Sequence, residues 1–250
     1  MTDLAKNSFI VVIPARLKSS RLPEKLLKII DGKPLLYHTY QNALSSNAKK
    51  VIIATDSYKI VEVMASFGIN CVLTSGNCES GTARISEIVS KESFDKNQII
   101  INVQGDEPLL PFEVINQLAD NLAINNTNIA TLCENFKSEK DYQNPNNVKV
   151  VFDENNLAMY FSRSAIPFFR DDKIDLTLCF KHIGIYGYKA SFFALKFNVK
   201  SYEIAEKLEQ LSILQSGQKI HIDIAIKDTG VGVDTLEDLE KVREIFKNKS

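Results

Sequence analysis

Arg16, Lys18, Arg21 and Lys25 follow closely on one another, with Ser19 and Ser20 between them, just after the apolar run Phe9-Ile10-Val11-Val12-Ile13. That run is short and rich in β-branched residues, which predicts a buried strand rather than a helix. Pro14 is expected to stop it, having no N–H to offer a continuing ladder. A basic, hydroxyl-bearing loop at the end of a parallel strand stands where open α/β sheets place ligands. Fixed cations and hydroxyls suit a polyphosphate; a solvated surface loop is the other reading. A second chemical stretch is Gln104-Gly105-Asp106-Glu107-Pro108, behind Ile99-Ile100-Ile101-Asn102-Val103. This is the most apolar strand in the chain and is expected at the centre of the sheet. An acid pair just beyond it, facing the basic loop, is the layout for a metal–triphosphate site, because magnesium needs only one or two carboxylates beside phosphate oxygens and waters. Taken alone, the same residues also read as a plain turn. Two familiar phosphate loops are excluded: the chain contains neither G-x-G-x-x-G after the first strand nor G-x-x-x-x-G-K-[ST].

The elements that must position these residues follow from periodicity. Asp31-Gly32 is a turn, and Pro34 is predicted as the first residue of a helix running to about Ser46. Residues 51–55 form the next strand, Ile60, Val61, Met64 and Ala65 a helical stripe ending at Gly68, and residues 71–74 a further strand. Strand and helix alternating in this way mean right-handed βαβ units and a parallel sheet. Ser80 is a plausible N-cap for a helix to about Lys91, whose start, Ser80-Gly81-Thr82 with Arg84, either faces the sheet edge or is simply a capped helix. Residues 111–125 form a helix and 129–132 a strand. Beyond Asn144 the pattern changes to a hairpin, 148–152 and 157–161. It opens a stretch carrying Ser162-Arg163-Ser164, Pro167 to Arg170 and Lys181 to Lys189. Glu203 to Leu211 is placed on one helix ending near Gly217. Phe192, Phe193 and Phe197 follow helical spacing and suit core or dimer contact. The alternation over 220–226 marks a strand with at least one wet face. Gly230 to Thr235 then leads into a closing helix, Leu236 to about Phe246, which the Thr235 hydroxyl is placed to cap. The other reading of Asp234 is that it merely begins that helix.

With 250 residues, 44% hydrophobic and 24% charged, the chain has the composition of a soluble globular α/β protein with ample core. Its net charge of −1 argues against bulk nucleic-acid binding, so any basic site is local. Residues 1–8 hold no signal-length apolar run, which predicts neither export nor membrane insertion and a cytoplasmic protein. Cys71, Cys78, Cys133 and Cys179 form no C-x-x-C pair and are expected as reduced, packed thiols. A lone histidine such as His182 is more often structural than catalytic.

Pro14-Ala15-Arg16, then Ser19, then Arg21-Leu22-Pro23 and Lys25 resemble the signature of the cytidylyltransferases that activate acidic sugars, P-A-R-x-x-S-x-R-L-P-x-K. Further strings appear in that family's order. Ser80-Gly81-Thr82-Ala83-Arg84 is similar to S-G-T-E-R; Asn102 to Pro108 supplies N-V-Q-G-D-E-P; His182 to Tyr188 reads H-x-G-I-Y-G-Y; and Gly232-Val233-Asp234-Thr235 is G-V-D-T. The H-x-G-I-Y-G-Y string, with Glu203 to Leu211, is similar to the branch acting on 3-deoxy-manno-octulosonate (Kdo), and the likeness covers nearly the whole chain.

The resemblance implies a Rossmann-like, mostly parallel sheet with flanking helices, of nucleotide-diphospho-sugar transferase type, with a smaller mixed or antiparallel lobe. Within a single domain, 1–250, residues 1–143 and 216–250 would bind nucleotide, and 144–215 would bind sugar and dimerise. The implied reaction is CTP plus Kdo giving CMP-Kdo and pyrophosphate, for lipopolysaccharide synthesis, by a homodimer requiring Mg2+. Arg16, Arg21 and Lys25 would take triphosphate charge, and Asp106 and Asp234 the metal. Pro14, Ala15, Arg16, Lys25, Ser80, Gly81, Thr82, Arg84 and Gln104 would bind nucleotide. Gln104, Arg163, His182, Tyr186, Glu209 and Gln210 would line the sugar site. An amino-Kdo or sialic-acid-like substrate, or an inactive nucleotide-sensing protein, are the alternatives. The chain departs from the pattern at Glu24 and Leu26, where glycine and proline are usual, at Ala83, and at Phe168, where tryptophan is usual.

Overall fold

In the computed structural model, which describes residues 8–78, 80–171, 173–195 and 198–248, the first half of the chain alternates strands and helices. It runs β1 (Phe9–Ala15), β2 (Ile29–Ile30), β3 (Lys33–Pro34), α1 (Leu35–Leu44), β4 (Lys50–Thr55), α2 (Tyr58–Ala65), β5 (Cys71–Leu73), α3 (Gly81–Glu92), β6 (Ile99–Asn102) and α4 (Phe112–Ile124). The second half runs β7 (Ile129–Asn135), α5 (Glu139–Gln143), β8 (Lys149–Phe152), β9 (Ala158–Ser162), β10 (Phe180–Lys189), α6 (Ser201–Glu206), α7 (Glu209–Gln215), β11 (Ile220–Ile224) and α8 (Leu236–Lys247). The main sheet has the order β11-β7-β10-β6-β1-β4-β5, with the β8–β9 hairpin attached to β10. β6 stands at its middle, as its unbroken apolar run requires.

β1 shows how the layers form. Val11 and Ile13 pack with Leu35 and Leu36 of α1, Met64 of α2 and Leu118 of α4. Ile10 and Val12 point the other way, against Ile85 and Ile88 of α3. Both faces are covered, so the run alternates sides without alternating polarity. A third cluster joins Ile129, Val150, Phe161, Tyr188, Leu211 and Ile222, and ties the hairpin and α7 to the far end of the sheet.

Several expectations are corrected. Pro14 does not end the first strand, which continues to Ala15 in register with Thr55. The Val12 carbonyl accepts from Val103 N on the β6 side, and Pro14, two residues on, faces the same way. Pairing with β6 has ended by then, at Val12 opposite Asn102, so the missing N–H interrupts nothing. Pro34 is the N-cap of α1 rather than its first residue. The single helix expected over 203–217 is two, α6 and α7, because Lys207 turns left-handed at φ 56 between them. β11 ends at Ile224, and His221, expected on a wet face, is buried against Asn125. Phe197 and residues 1–7 lie outside the described residues.

One rearrangement bears on function. β10 runs antiparallel between β6 and β7, so the H-x-G-I-Y-G-Y string is a strand of the main sheet and not of a separate layer. α4 lies across it so closely that a Cβ on Gly187 would stand 2.5 Å from Leu122 Cδ1. β6 and β10 together carry the side chains of that string to the edge where β1 and β6 end.

Candidate active site

Lys25, Asp106 and Asp234 come from the start, middle and end of the chain and meet at this edge. Lys25 begins a 3-10 turn, Lys25–Leu27, and is buried. Its ammonium donates to Asp106 Oδ2 at 2.5 Å and to Asp234 Oδ1 at 2.9 Å. Arg21 Nη2 lies 2.9 Å from the same Asp234 oxygen. Burial alone would pull the Lys25 ammonium down, but the two carboxylates outweigh it and the net displacement is upward. Its charged form is thus favoured over that of a free lysine.

Backbone geometry brings the two acids together. Val233 N–H donates to the Asp106 carbonyl at 2.9 Å. Thr235 caps α8 in a capping box with Asp238, whose carboxylate also accepts from Asp234 N. Glu107 packs on Gly232, where a Cβ would stand 2.5 Å from Glu107 Oε1. Burial, then the neighbouring Asp106 charge, push the Glu107 carboxyl up to about 8. The turn before Lys25 has its own signature. Glu24, standing where the family pattern has glycine, adopts φ 54, a conformation glycine reaches without steric cost. Lys59 holds the Glu24 carboxylate at 2.6 Å.

Two cavities open here. The first, of about 400 Å³, is lined by Pro14, Arg16, Lys18, Arg21, Lys25, Asp106 and Asp234 among others. Arg16 Nη2 donates to the Cys78 carbonyl at 3.0 Å, which holds its guanidinium against the cavity wall. The second, of about 760 Å³, is lined by Thr82, Asn102, His182, Tyr186 and Gln210 with several apolar side chains. Ser80, Gly81, Gln104 and Glu209 border both cavities, so the two are continuous. Ser80 caps α3 through its hydroxyl on Ala83 N, as expected, and Thr82 Oγ1 donates to Glu209 Oε2 at 3.3 Å. His182 Nε2 pairs with Thr131 Oγ1 at 3.0 Å, and burial pulls its imidazole down to about 3, which makes it neutral. Burial raises the Glu209 carboxyl.

Three expected site residues are not brought to either cavity. Ala15 is fully buried within β1. Arg84 points away under α3, with Thr74 and with Asp56 Oδ2 at 3.0 Å, and ties the start of α3 to the exits of β4 and β5. Arg163 is a staple: its Nε donates to the Glu206 carbonyl at 2.7 Å and its Nη1 to the Pro145 carbonyl at 3.1 Å. Beside it, Lys149 is fully buried, its ammonium satisfied by the carbonyls of Asn144, Asn147 and Arg163. Conversely, Asn102 lines the larger cavity without having been singled out. The signal was present: Asn102 is the one polar residue of the apolar β6.

Among the described residues no three His, Cys, Asp or Glu side chains gather to hold a metal unaided. Asp106 and Asp234 nevertheless present hard oxygen donors to one cation, here the Lys25 ammonium. That donor set fits a divalent ion which completes its shell with phosphate oxygens and water.

Residues 10–220 match the cytidylyltransferase family. The chain is 51% identical over 239 residues to a 3-deoxy-manno-octulosonate cytidylyltransferase of Ruthia magnifica subsp. Calyptogena magnifica, covering 94% of this chain and 98% of that protein. It is 49% identical over 244 residues to the enzyme of the same name from Francisella tularensis subsp. tularensis, covering 94% and 97%. A solved CMP:2-keto-3-deoxy-manno-octonic acid synthetase complexed with CTP superposes with a TM-score of 0.90 at 36% identity, over 97% of this chain and 100% of that one.

Proposed function

Since the chain belongs to the 3-deoxy-manno-octulosonate cytidylyltransferase family, we propose that it transfers CMP from CTP to the anomeric hydroxyl of Kdo, releasing pyrophosphate. It is a nucleotidyltransferase, and its product serves lipopolysaccharide synthesis. The observation that carries the reading is the meeting of Lys25, Asp106 and Asp234 where an anion-sized cavity opens into a larger, hydroxyl-lined one.

The triphosphate occupies the smaller cavity, with Arg16, Arg21 and Lys25 taking its charge and Lys18 at its rim. Cytosine lies towards Pro14 and the start of α3, where Ser80, Gly81 and Thr82 present backbone and hydroxyl groups. Kdo occupies the larger cavity beside Gln104, His182, Tyr186, Glu209 and Gln210. Gln104 and Glu209 border both spaces, so the attacking C2 hydroxyl and the α-phosphorus meet at that junction. The C2 oxygen bonds to phosphorus as the bond to the pyrophosphate oxygen breaks, and its hydroxyl proton passes to solvent. The cations oppose the negative charge that spreads over the phosphoryl oxygens. His182 is neutral and engaged with Thr131, and it does not serve as the base; the protein's contribution is positioning and charge. Asp106 and Asp234 would hold Mg2+. When bound, this ion would neutralise phosphate oxygens and make the attacking hydroxyl more acidic. Dependence on CTP supports a cytoplasmic protein. Residues 144–215 contribute the sugar side, and their exposed Met159, Phe168, Tyr202 and Ile204 support a homodimer through this part.

Pyrophosphate release tests the reading. It is expected only with CTP, Kdo and Mg2+ together, and UTP is expected to serve poorly, because a site built around one base edge leaves a buried group unpaired for the other. Release from CTP independent of Kdo, or equal efficiency with UTP, would overturn it.

A further inference from the structure

The segment from Pro14 to Lys28 holds five cations, Arg16, Lys18, Arg21, Lys25 and Lys28, and a single carboxylate, Glu24. Glu24 stands directly before Lys25 at φ 54, a backbone conformation that is costly for a residue with a side chain. Its carbonyl accepts from Leu27 N at 2.9 Å and closes the turn from which Lys25 enters the interior. Its carboxylate goes elsewhere. Both oxygens accept from Lys59 Nζ, at 2.6 Å and 2.7 Å, and Lys59 is the second residue of α2. Glu24 borders a hollow of about 460 Å³ with Leu17, Pro23 and residues 18–20, and it does not line the cavity of Arg21, Lys25, Asp106 and Asp234. Lys18, Ser19 and Ser20 border both spaces and form the wall between them. The Lys59–Glu24 pair is half exposed, at 52% and 45%, so it adds little to stability. What it fixes is the side of that wall on which the carboxylate lies.

We propose that Lys59 is a positioning residue for the nucleotide: it holds the Glu24 carboxylate behind residues 18–20 and so keeps an anion of the protein from competing with the triphosphate for Lys18, Arg21 and Lys25. The proposal rests on the CTP reading above and adds to it a residue of α2 that lines neither cavity. A carboxylate offers lysine and arginine the same kind of acceptor as a phosphate oxygen. Tethered one residue from Lys25, a released one would act at high effective concentration. It would also repel the incoming triphosphate. Lys59 is thus needed only because Glu24 is charged, and the two partners are not equivalent. Removing the carboxylate removes the competitor, whereas removing the ammonium sets it free.

A double-mutant cycle of Lys59→Met and Glu24→Gln tests this, with Mg–CTP binding measured by titration calorimetry without Kdo and pyrophosphate release measured as initial rates. Lys59→Met keeps the length of the stem, and Glu24→Gln keeps the shape of the side chain; circular dichroism verifies the fold of each. Lys59→Met is expected to weaken Mg–CTP binding at least about fivefold, with KM for Kdo within about twofold of wild type. Glu24→Gln is expected to stay within about twofold in both, and the double variant to return Mg–CTP binding to within about twofold. Lys59→Arg keeps the pair and should bind Mg–CTP as the wild type does. A merely structural tie would be cut equally from either end, so equal losses in the two single variants overturn the proposal. So does unchanged Mg–CTP binding in Lys59→Met, or a double variant as weak as Lys59→Met alone. A wild type that binds no Mg–CTP would instead overturn the CTP reading, and this proposal with it.

Discussion

Replacing Lys25 by methionine keeps the length of the side chain and removes the cation between Asp106 and Asp234. The Lys25 side chain is 11% exposed, that of Asp106 28% and that of Asp234 46%. Removing one partner of a buried pair costs about 3–5 kcal/mol, and a surface pair is worth about 0–1 kcal/mol. The Asp106 contact lies nearer the first case. The Asp234 contact lies nearer the second, and Arg21 still holds that carboxylate. Together they place the loss at about 2–4 kcal/mol. For a chain of this size that is a fall in Tm of roughly 5–15 °C.

The same substitution leaves two carboxylates facing each other with no ammonium between them, which is a divalent-cation site with its competitor removed. Mg2+ alone, without CTP, should therefore raise the Tm of Lys25→Met more than that of the wild type, by differential scanning calorimetry in matched buffers. Turnover should be lost, since the variant also lacks a phosphate contact. A Tm within about 2 °C of wild type would refute the bridging energetics. Equal stabilisation of both proteins by Mg2+ would refute the claim that Lys25 and the metal share the same two carboxylates.

Three further outcomes follow. Asp106→Asn and Asp234→Asn should each cut turnover by at least about a hundredfold at limiting Mg2+ with circular dichroism unchanged, because each removes a charged oxygen ligand; near-normal rates in either would remove that residue from the metal site. Gly232→Ala should cost about 1 kcal/mol or less in urea unfolding, since its Cβ would stand 2.5 Å from Glu107 Oε1 at the end of a side chain that can turn aside, and Glu107→Ser in the same chain should recover most of it. His182 titrates at about 3 in the fold against 6.5 ordinarily, so its stabilisation is full above 6.5 and is lost as pH falls towards 3. Unfolding free energy of the wild type should then fall faster than that of His182→Asn below 6.5, by up to about 1.4 kcal/mol per pH unit; parallel curves would show that His182 is not held neutral.

What could be read from the sequence was whatever depends on neighbours along the chain. The βαβ order, the caps at Ser80 and Thr235 and the hairpin around Asp153 are local patterns, and each appears where spacing and turn chemistry put it. The convergence of the first and last loops was also legible, because a doubly wound sheet gathers the ends of its parallel strands at one edge. Long-range pairing was not. Nothing local in Phe180 to Lys189 says that this strand lies antiparallel between β6 and β7. Arg84 was misjudged for a related reason: its charge suggested an anion, and only the packed fold shows Asp56 and Thr74 beneath it. The break at Lys207 was hidden because a lysine with positive φ carries none of the warning a glycine gives.

The bridge at the site changes what ligand binding has to accomplish. Opposed carboxylates with no cation between them would repel and keep their loops apart. Here Lys25 and Arg21 already neutralise Asp106 and Asp234, so both loops are in contact and their combined charge is balanced before any ligand arrives. A polyphosphate entering this cluster therefore meets cations that already have partners. It can take Lys25 and Arg21 only if something else takes the two aspartates, and leaving those carboxylates unpaired would cost more than the new contacts return. In the proposed reading Asp106 and Asp234 would hold a divalent cation once the Lys25 ammonium turned to phosphate, which would leave no charge unpaired. Coupling of nucleotide to metal would then be a consequence of where Lys25 sits, 2.5 Å from Asp106 Oδ2 and 2.9 Å from Asp234 Oδ1.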